Sequence, residues 1–468
     1  MILLKAIGIA LESQRLDVIS SIYSQTKDAS LLAYAMEGVL DTGFSLSYRD
    51  QVLRFLFPLF PRPTTGDGSP HVHALTRLLV TLSDPSLSIS LLASLVLNEE
   101  LLAYQFAFDL VEGGSQDFLE TVRSELPEGD EVRFNNIIYF ALGFLTFTYN
   151  QKTKAIYDKL RTILTGKESV KLYREFLKRN NQTDLLILKN TKVKPVTCFL
   201  FCSNVVLQDA LEPRSSIYHT ALTLQNAFMH AGTTSDVFLR DNLEWLGVAS
   251  NWSKFSATAG LGVIHKGYFE QGQTILGPYL PQTGGESNIQ GAAYSEGGAL
   301  YALGLINAGC GSTVTTYLRD TLKAAQGEVV QHGAALGLGI AGMGSKNMDT
   351  IDDLKTVLFT DSAVAGEASG YAMGLVMLGT AASEPVREML QYARETQHEK
   401  IIRGLAMGTA FIFYGRQEQA DETIQVLLAE KVGHVSSLYS RYLIFAIGSY
   451  PQIRRCLYSS TGICRNCQ

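Results

Sequence analysis

Gln331-His-Gly-Ala-Ala-Leu-Gly-Leu-Gly-Ile-Ala-Gly-Met-Gly344 is the stretch that decides the fold. Gly333, Gly337 and Gly339 stand four and two apart, and Gly344 closes the segment five residues on. The same register recurs in four other places. These are Ser256, Gly260, Gly262 and Gly267; Gly298, Ala302, Gly304 and Gly309; Ala368, Ala372, Gly374 and Gly379; and Gly404, Gly408, Ala410 and Gly415. The closing glycines step by 42, 35, 35 and 36 residues. Self-similarity at such a period is the signature of stacked helical hairpins.

At about 100° per residue, the first, second and closing columns share one helix face and the third lies nearly opposite. Large apolar residues fill the positions between, as Leu303 with Leu305 and Leu338 with Ile340 do. A helix that is small on two faces and apolar elsewhere is a buried helix, with its backbone close to a neighbour on each side. Each interior glycine costs about 1 kcal/mol of helix propensity against alanine, so close packing between repeats has to offset it. The closing glycine suits a left-handed helix end. A polar, amphipathic segment follows each glycine segment, at Val314 to Ala325, Ile351 to Phe359, Val386 to Thr396 and Ala420 to Lys431, which makes two helices per repeat.

Upstream, apolar residues at three and four spacing predict helices over Ala6 to Ser24, Ser30 to Leu40, Tyr48 to Phe57 and His71 to Leu82. A further helical stretch runs from Leu87 to Val111 with a break near Asn98, and a loop covers Pro61 to Ser69. Val132 to Thr165 has no clean period and reads as helix. Ser169 to Asn190, Ile217 to His230 and Asp236 to Ala249 are helical patterns. The fold class is therefore all-α, an α-solenoid of helical hairpins. Its expected divisions are a helical arm at 1–130, a divergent segment at 131–168, a connector at 169–250, the repeats at 251–431 and a divergent basic tail at 432–468.

With 468 residues, 46% of them hydrophobic, the chain can bury a large core, and a net charge of -6 gives no reason to expect nucleic acid or an anionic membrane as partner. The apolar run from Ile137 to Tyr149 is shorter than the roughly 20 residues of a spanning helix, and Met1 to Ala10 has no small-residue cleavage site, so neither a membrane span nor a signal peptide is expected. Six cysteines in so long a chain do not make a disulfide framework, which indicates a reducing cytoplasmic or nuclear setting and makes the glycosylation-like sequences at Asn181 and Asn251 incidental.

Three patterns invite a chemical reading. Gly337, Gly339 and Gly342 match the dinucleotide fingerprint, and Asp361 lies about where a ribose-binding acid would stand. Yet two of these glycines belong to columns shared by four other segments, and no β-branched strand leads into them. Packing is the better account. Cys464 and Cys467 form a single C-x-x-C with Cys456 nearby and Cys198 and Cys202 distant, short of the paired spacing of a zinc site. His265, His332 and His398 recur near repeat boundaries, as polar caps and inter-repeat hydrogen-bond partners would. Glu395 to Gly404 mixes charges ahead of a glycine helix, as a solvated loop or a partner-binding rim does. No nucleophile, base and oxyanion donor come together. No catalytic residue, cofactor site or metal site is assigned. The residues assigned are the structural repeat glycines Gly262, Gly267, Gly304, Gly309, Gly339, Gly344, Gly374, Gly379 and Gly415.

Thr233-Thr-Ser-Asp-Val-Phe-Leu-Arg-Asp-Asn-Leu-Glu-Trp-Leu246 and Asn251-Trp-Ser-Lys-Phe-Ser-Ala-Thr-Ala-Gly-Leu-Gly-Val-Ile-His-Lys-Gly267 resemble the Rpn2 family, the large non-ATPase subunit of the proteasome regulatory particle base. Ala6 to Glu12, Asn180 to Lys192 and Glu395 to Gly404 extend the resemblance over most of the chain. It identifies the glycine columns as proteasome/cyclosome repeats and implies a non-catalytic scaffold whose helical arm leads into a toroid, here a partial one. The implied partners are the base ATPases, lid subunits, and receptors for ubiquitin or ubiquitin-like domains, in cytoplasm and nucleus. The anaphase-promoting complex, whose largest subunit carries related repeats, is the alternative scaffold; the runs around Trp245 and Trp252 argue against it.

Several stretches depart from the family pattern. Family chains are roughly twice as long, with an earlier arm, later repeats and a C-terminal region beyond those matched here. Val193 to Gln208 intervenes where the family runs almost directly from the counterpart of Lys192 to that of Asp209, and its valine start and glutamine end are those of a retained in-frame intron. Val132 to Thr165 replaces a polar linker. Past Lys431 the resemblance stops, and the tail contains no acid but includes Arg441, Arg454, Arg455 and Arg465, which suggests an altered reading frame or alternative exon.

Overall fold

The computed structural model describes residues 2–41, 43–61, 71–128, 143–181, 216–247, 249–281 and 291–429, and its regular elements there are all helical. These residues divide into two compact units, one of 2–169 with 416–421 and the other of 170–415 with 422–429. The segments 193–208 and 432–468 and the cysteines at 198, 202, 456, 464 and 467 lie outside the described residues.

The first unit contains α1 (Ile2–Glu12), α2 (Leu16–Thr26), α3 (Ala29–Asp41), α4 (Leu46–Leu56), α5 (His71–Leu82), α6 (Pro85–Asn98), α7 (Glu100–Gly113), α8 (Gln116–Glu125) and α9 (Gly143–Leu164). The odd-numbered helices stack in a row, α1 on α3 on α5 on α7 on α9. Leu32, Val52, Leu53, Leu78, Phe106, Leu110 and Leu160 are fully buried between the helices. Helix starts are written locally. Ser45 accepts from the Tyr48 amide at 3.3 Å, Ser115 from Phe118 at 3.3 Å, and Asp84 from Leu87 at 3.2 Å with Pro85 at the first helical position.

The pattern from Ala6 to Ser24, read as one helix, is two. Gln14 takes a left-handed φ of 56°, and the amide of Arg15 donates back to Ala10 O at 2.8 Å, closing α1 with a helix-ending turn. Side-chain periodicity runs across such a turn without interruption, so it hides the break. The break expected near Asn98 falls at Glu99. Within 131–168, α9 joins the arm core through Ile156, Tyr157, Leu160, Ile163 and Leu164, and Lys159 lies 4.1 Å over the ring of Tyr104. No described helix is long and apolar enough to cross a membrane.

Gly8, inside α1, has nothing within 4 Å of where a Cβ would stand. Gly8→Ala is expected to stabilise the arm by about 1 kcal/mol through helix propensity alone. A urea midpoint for the arm that falls in this variant would show that the site is not open.

The second unit opens with α10 (Lys167–Arg179), whose first residues belong to the arm, and continues through α11 (Ser216–Met229), α12 (Val237–Arg240) and α13 (Leu243–Gly247). Asp236 to Ala249, expected as a single helix, divides here because Asn242 turns its amide onto Phe238 O at 2.5 Å. Then α14 (Trp252–Ile264), α15 (Gly272–Leu276), α16 (Ala292–Ile306), α17 (Ser312–Ala324), α18 (Glu328–Ala341), α19 (Met348–Leu358), α20 (Ala363–Val376), α21 (Ser383–Glu395), α22 (Glu399–Ile412) and α23 (Asp421–Ala429) alternate between glycine-rich and amphipathic. The glycine-rich α14, α16, α18, α20 and α22 pack in one row, each on the next. The amphipathic α17, α19 and α21 flank them, with Leu318, Ile351, Leu354 and Met389 fully buried at the contact.

Candidate functional site: the stacked glycine helices

The glycine columns meet in a fixed order. A Cβ built on Gly262 would stand 2.5 Å from Cα and O of Ala302, and one on Gly339 would stand 2.6 Å from Cα of Ala372. Gly304 meets the backbone of Gly337 and Gly374 that of Gly408 in the same way, closer still. So the third column of each layer lies against the second column of the next. Real Cβ atoms do not approach backbone this closely, so each contact is backbone on backbone and needs the missing side chain.

A layer precedes the five that the columns predict. Ala227 of α11 stands 3.4 Å from where Gly260 would carry a Cβ, and Gly232 closes its turn with φ of 69°, 35 residues before Gly267. Its second-column position holds Gln225, which breaks the small-residue pattern. The matching step back to Gly232 is the signal by which sequence could have found it.

The closing glycines Gly267, Gly309, Gly344, Gly379 and Gly415 all have left-handed φ, between 67° and 80°. Each lies two residues past the helix cap residue, not at the cap, and the amides of the first four point away from their own helix. Gly267 N–H donates to Ile306 O at 2.9 Å, Gly309 to Ile340 O at 3.1 Å, Gly344 to Leu375 O at 2.9 Å and Gly379 to Phe411 O at 3.0 Å. Gly232 donates likewise to Val263 O at 3.0 Å. Two residues on, Thr234, Lys346 and Ala381, also left-handed, donate to Ile264 O, Val376 O and Ile412 O. The last carbonyls of a helix have no acceptor role within it, and here the turn of the preceding layer supplies their donors.

Charged pairs tie the layers together on the flanking helices. Arg319 meets Asp353 at 2.6 Å, Lys323 meets Asp353 at 3.0 Å and Lys355 meets Glu388 at 2.5 Å, each bridging to the next repeat. Arg403 of α22 meets Glu367 of α20 at 2.5 Å. A third face of the glycine helices stays half-buried and apolar, with Tyr301, Leu305, Leu336, Ile340, Tyr371 and Leu375 in register from layer to layer.

The dinucleotide reading fails on this geometry. Gly337 and Gly339 lie inside α18 with their open sides filled by Leu300 O and Ala372, and Gly342 caps the same helix, so they form no phosphate-cradling loop ahead of a helix start. Asp361 spends its carboxylate on Tyr392 Oη at 2.9 Å and Thr396 Oγ1 at 2.7 Å, joining α21 to the turn before α20. The bond to Thr396 first, and that to Tyr392 with it, hold the Asp361 carboxyl below its ordinary value near 3.8, while burial and this neighbour push the Tyr392 phenol up to about 12. A depressed carboxyl stabilises the fold above its unfolded value and loses that contribution as pH falls through the folded one. Tyr392→Phe is therefore expected to cost about 1 kcal/mol at neutral pH, with the difference from the parent chain narrowing below pH 3.8. Equal gaps at pH 7 and at pH 3 would show that Asp361 is not the group involved.

One of the boundary histidines, His332, makes the expected inter-repeat hydrogen bond, and His398 sits at a helix start without a side-chain cap bond. His332 Nδ1 donates to Val364 O at 2.8 Å, and His398, at the start of α22, lies 3.6 Å from Asp361. His265 makes no such bond: it is 4% exposed and neither ring nitrogen has a hydrogen-bond partner. Among the described residues no three His, Cys, Asp or Glu side chains group as metal ligands would. Thr396 to His398 form the loop of the charged block between α21 and α22.

Residues 3–181 match the family described as 26S proteasome subunit RPN2, N-terminal domain, and residues 333–367 match the proteasome/cyclosome repeat. The chain is 43% identical over 425 residues to the 26S proteasome regulatory subunit rpn2 of Schizosaccharomyces pombe, covering 90% of this chain and 41% of that one. It is 40% identical over 460 residues to the 26S proteasome non-ATPase regulatory subunit 1 homolog B of Arabidopsis thaliana, covering 91% and 43%. With the Drosophila melanogaster 26S proteasome non-ATPase regulatory subunit 1 it shares 38% identity over 498 residues, covering 97% and 46%. The chain thus spans less than half the length of these curated relatives.

Proposed function

The chain belongs to the Rpn2 family, and from that premise we propose that it serves as a non-catalytic scaffold of the 26S proteasome regulatory particle. In this role it supports ATP-dependent degradation of ubiquitinated proteins through protein contacts alone. Its partners are the base ATPases, lid subunits, and receptors for ubiquitin or ubiquitin-like domains, and it works in cytoplasm and nucleus. The observation that carries the reading is the layer packing. Backbone meets backbone between successive layers, and the turn amides bind the next helix, so the repeats form a stiff stack that offers surfaces to partners. Stacks of this kind present extended, regularly spaced faces, which is what a platform for several subunits needs.

Affinity purification of the tagged chain from cells tests it. ATPase and lid subunits are expected in the purified material, and their absence would remove the proposal for a chain of this length. Imaging the same tagged chain checks the compartments.

A further inference from the structure

Where α11 meets α12, α13 and α14, five polar side chains are buried among Leu222, Phe238, Leu239 and Ile264. His219, Thr223, Asn226, His230 and His265 are each less than 5% exposed. Thr223 donates to Thr220 O at 2.9 Å, and His230 Nδ1 to Asn226 O at 3.0 Å. The others are not satisfied. His219 Nε2 donates to Trp245 O at 3.1 Å but leaves Nδ1 without a partner, and both side-chain atoms of Asn226 and both ring nitrogens of His265 are unpartnered. In the next layers the buried Asn307, Thr396 and Thr409 bond Leu303 O, Asp361 and Leu405 O, and the unpartnered buried atoms among the described residues are single ones, Ser369 Oγ and Glu388 Oε2, the latter beside Lys355.

We propose that this first layer is an acid-sensitive joint, in which protonation of His219 and His265 loosens α11 to α13 from α14 while the packing of α20 on α22, two helices without a histidine, stays closed. Charging His219 would add an Nδ1–H donor in a place with no acceptor. The Trp245 ring, stacked 4.0 Å away, favours a cation on its face, but this attraction is small beside the cost of charging an imidazole that is 3% exposed. Charging His265 would draw on Asp236, whose Oδ2 lies 3.7 Å from Nε2, too far for a hydrogen bond in the neutral form. Asp236 is already claimed by Arg240, which also repels a charged His265. The Tyr268 ring stacks near-parallel to His265 at 6.3 Å between centroids, with Arg174 of α10 over the tyrosine ring at 4.7 Å. No described carboxylate faces His219. Burial, the largest influence on both rings, pushes both below the ordinary histidine value of 6.5.

The sign follows from linkage. A histidine that must stay neutral in the closed layer leaves it fully stable above about pH 6.5 and weakens it as pH falls below that value. Each such histidine raises the open population about tenfold per pH unit in that range, so the pair gives up to roughly a hundredfold.

Amide hydrogen exchange of the whole chain at pH 7.5 and 5.5, corrected for the intrinsic rate, reads this directly. Protection over 216–247 is expected to fall by about ten- to a hundredfold more than protection over 366–412, a region that leaves out His332, whose ring burial also pushes down. The double variant His219→Gln, His265→Phe keeps a donor for Trp245 O and a ring for Tyr268, and should lose most of that difference. Equal losses in the two regions of the parent chain, or an undiminished difference in the variant, would overturn the proposal. Should the variant fail to fold, exchange of the histidine C2 protons in the parent chain decides. Titration of both rings below their value in the denatured chain supports the joint, and titration at or above it overturns the joint.

Discussion

Gly339→Leu will destabilise the repeat stack by about 3 kcal/mol or more, and its melting midpoint will fall by roughly 10 °C. Even the first carbon of the new side chain stands 2.6 Å from Cα of Ala372 and 2.9 Å from its Cβ, inside contact distance of a helix that has no flexible group to move aside. α18 and α20 must separate. They cannot do so freely, because the turn after α18 holds the end of α20 through Gly344 N–H to Leu375 O and Lys346 N–H to Val376 O. Helix propensity works in the opposite direction, since leucine is better than glycine in a helix by nearly 1 kcal/mol, and the clash outweighs it. Circular dichroism against temperature provides the measurement. An unchanged midpoint would mean that the columns are not in the contact described, whereas Gly8→Ala in the arm gains stability because its site is open.

Gly379→Val will cost about 2–3 kcal/mol for a different reason. Its φ of 67° is one that a β-branched residue is forced into only with strain, and Tyr414 O already lies 3.2 Å from the Cβ position. The backbone cannot relax to negative φ without withdrawing its amide from Phe411 O. Gly379→Asn separates conformation from volume, since asparagine tolerates the left-handed region and should cost about 1 kcal/mol or less. Thermal or urea unfolding of the two variants gives the comparison. Equal losses from valine and asparagine would place the cause in side-chain volume and not in φ.

The helical layers were legible wherever a column of small residues repeated, because an interior glycine is unfavourable in a helix unless something sits close to it. Legibility failed where a single position departed from the column. Gln225 conceals the layer at α11, although Ala227 and Gly232 keep their places in it. It failed again at Gln14 and Asn242, where turns interrupt helices without disturbing the apolar spacing. His265 resembled the other boundary histidines in position, yet it lies buried beside Asp236 without a hydrogen bond, while His332 binds Val364 O. Spacing tells which face a side chain occupies, and it is silent on what stands opposite. The fingerprint at Gly337 to Gly342 shows the same limit from the other side, as glycines identical in type and spacing serve helix packing.

From sequence alone came the all-α class, the number and order of the glycine helices from α14 to α22, and the resemblance to the Rpn2 family. These depend on local geometry: a period near 3.6 sets the angular position of every column, and glycine's propensity cost demands a close neighbour. Tertiary structure alone decided that the third column meets the second column of the next layer, and that the closing amides cap the following helix instead of their own. A period along one helix fixes a direction in space but not the backbone that fills it, and an amide in a left-handed turn can fold back or reach out until a neighbour's free carbonyl settles the choice.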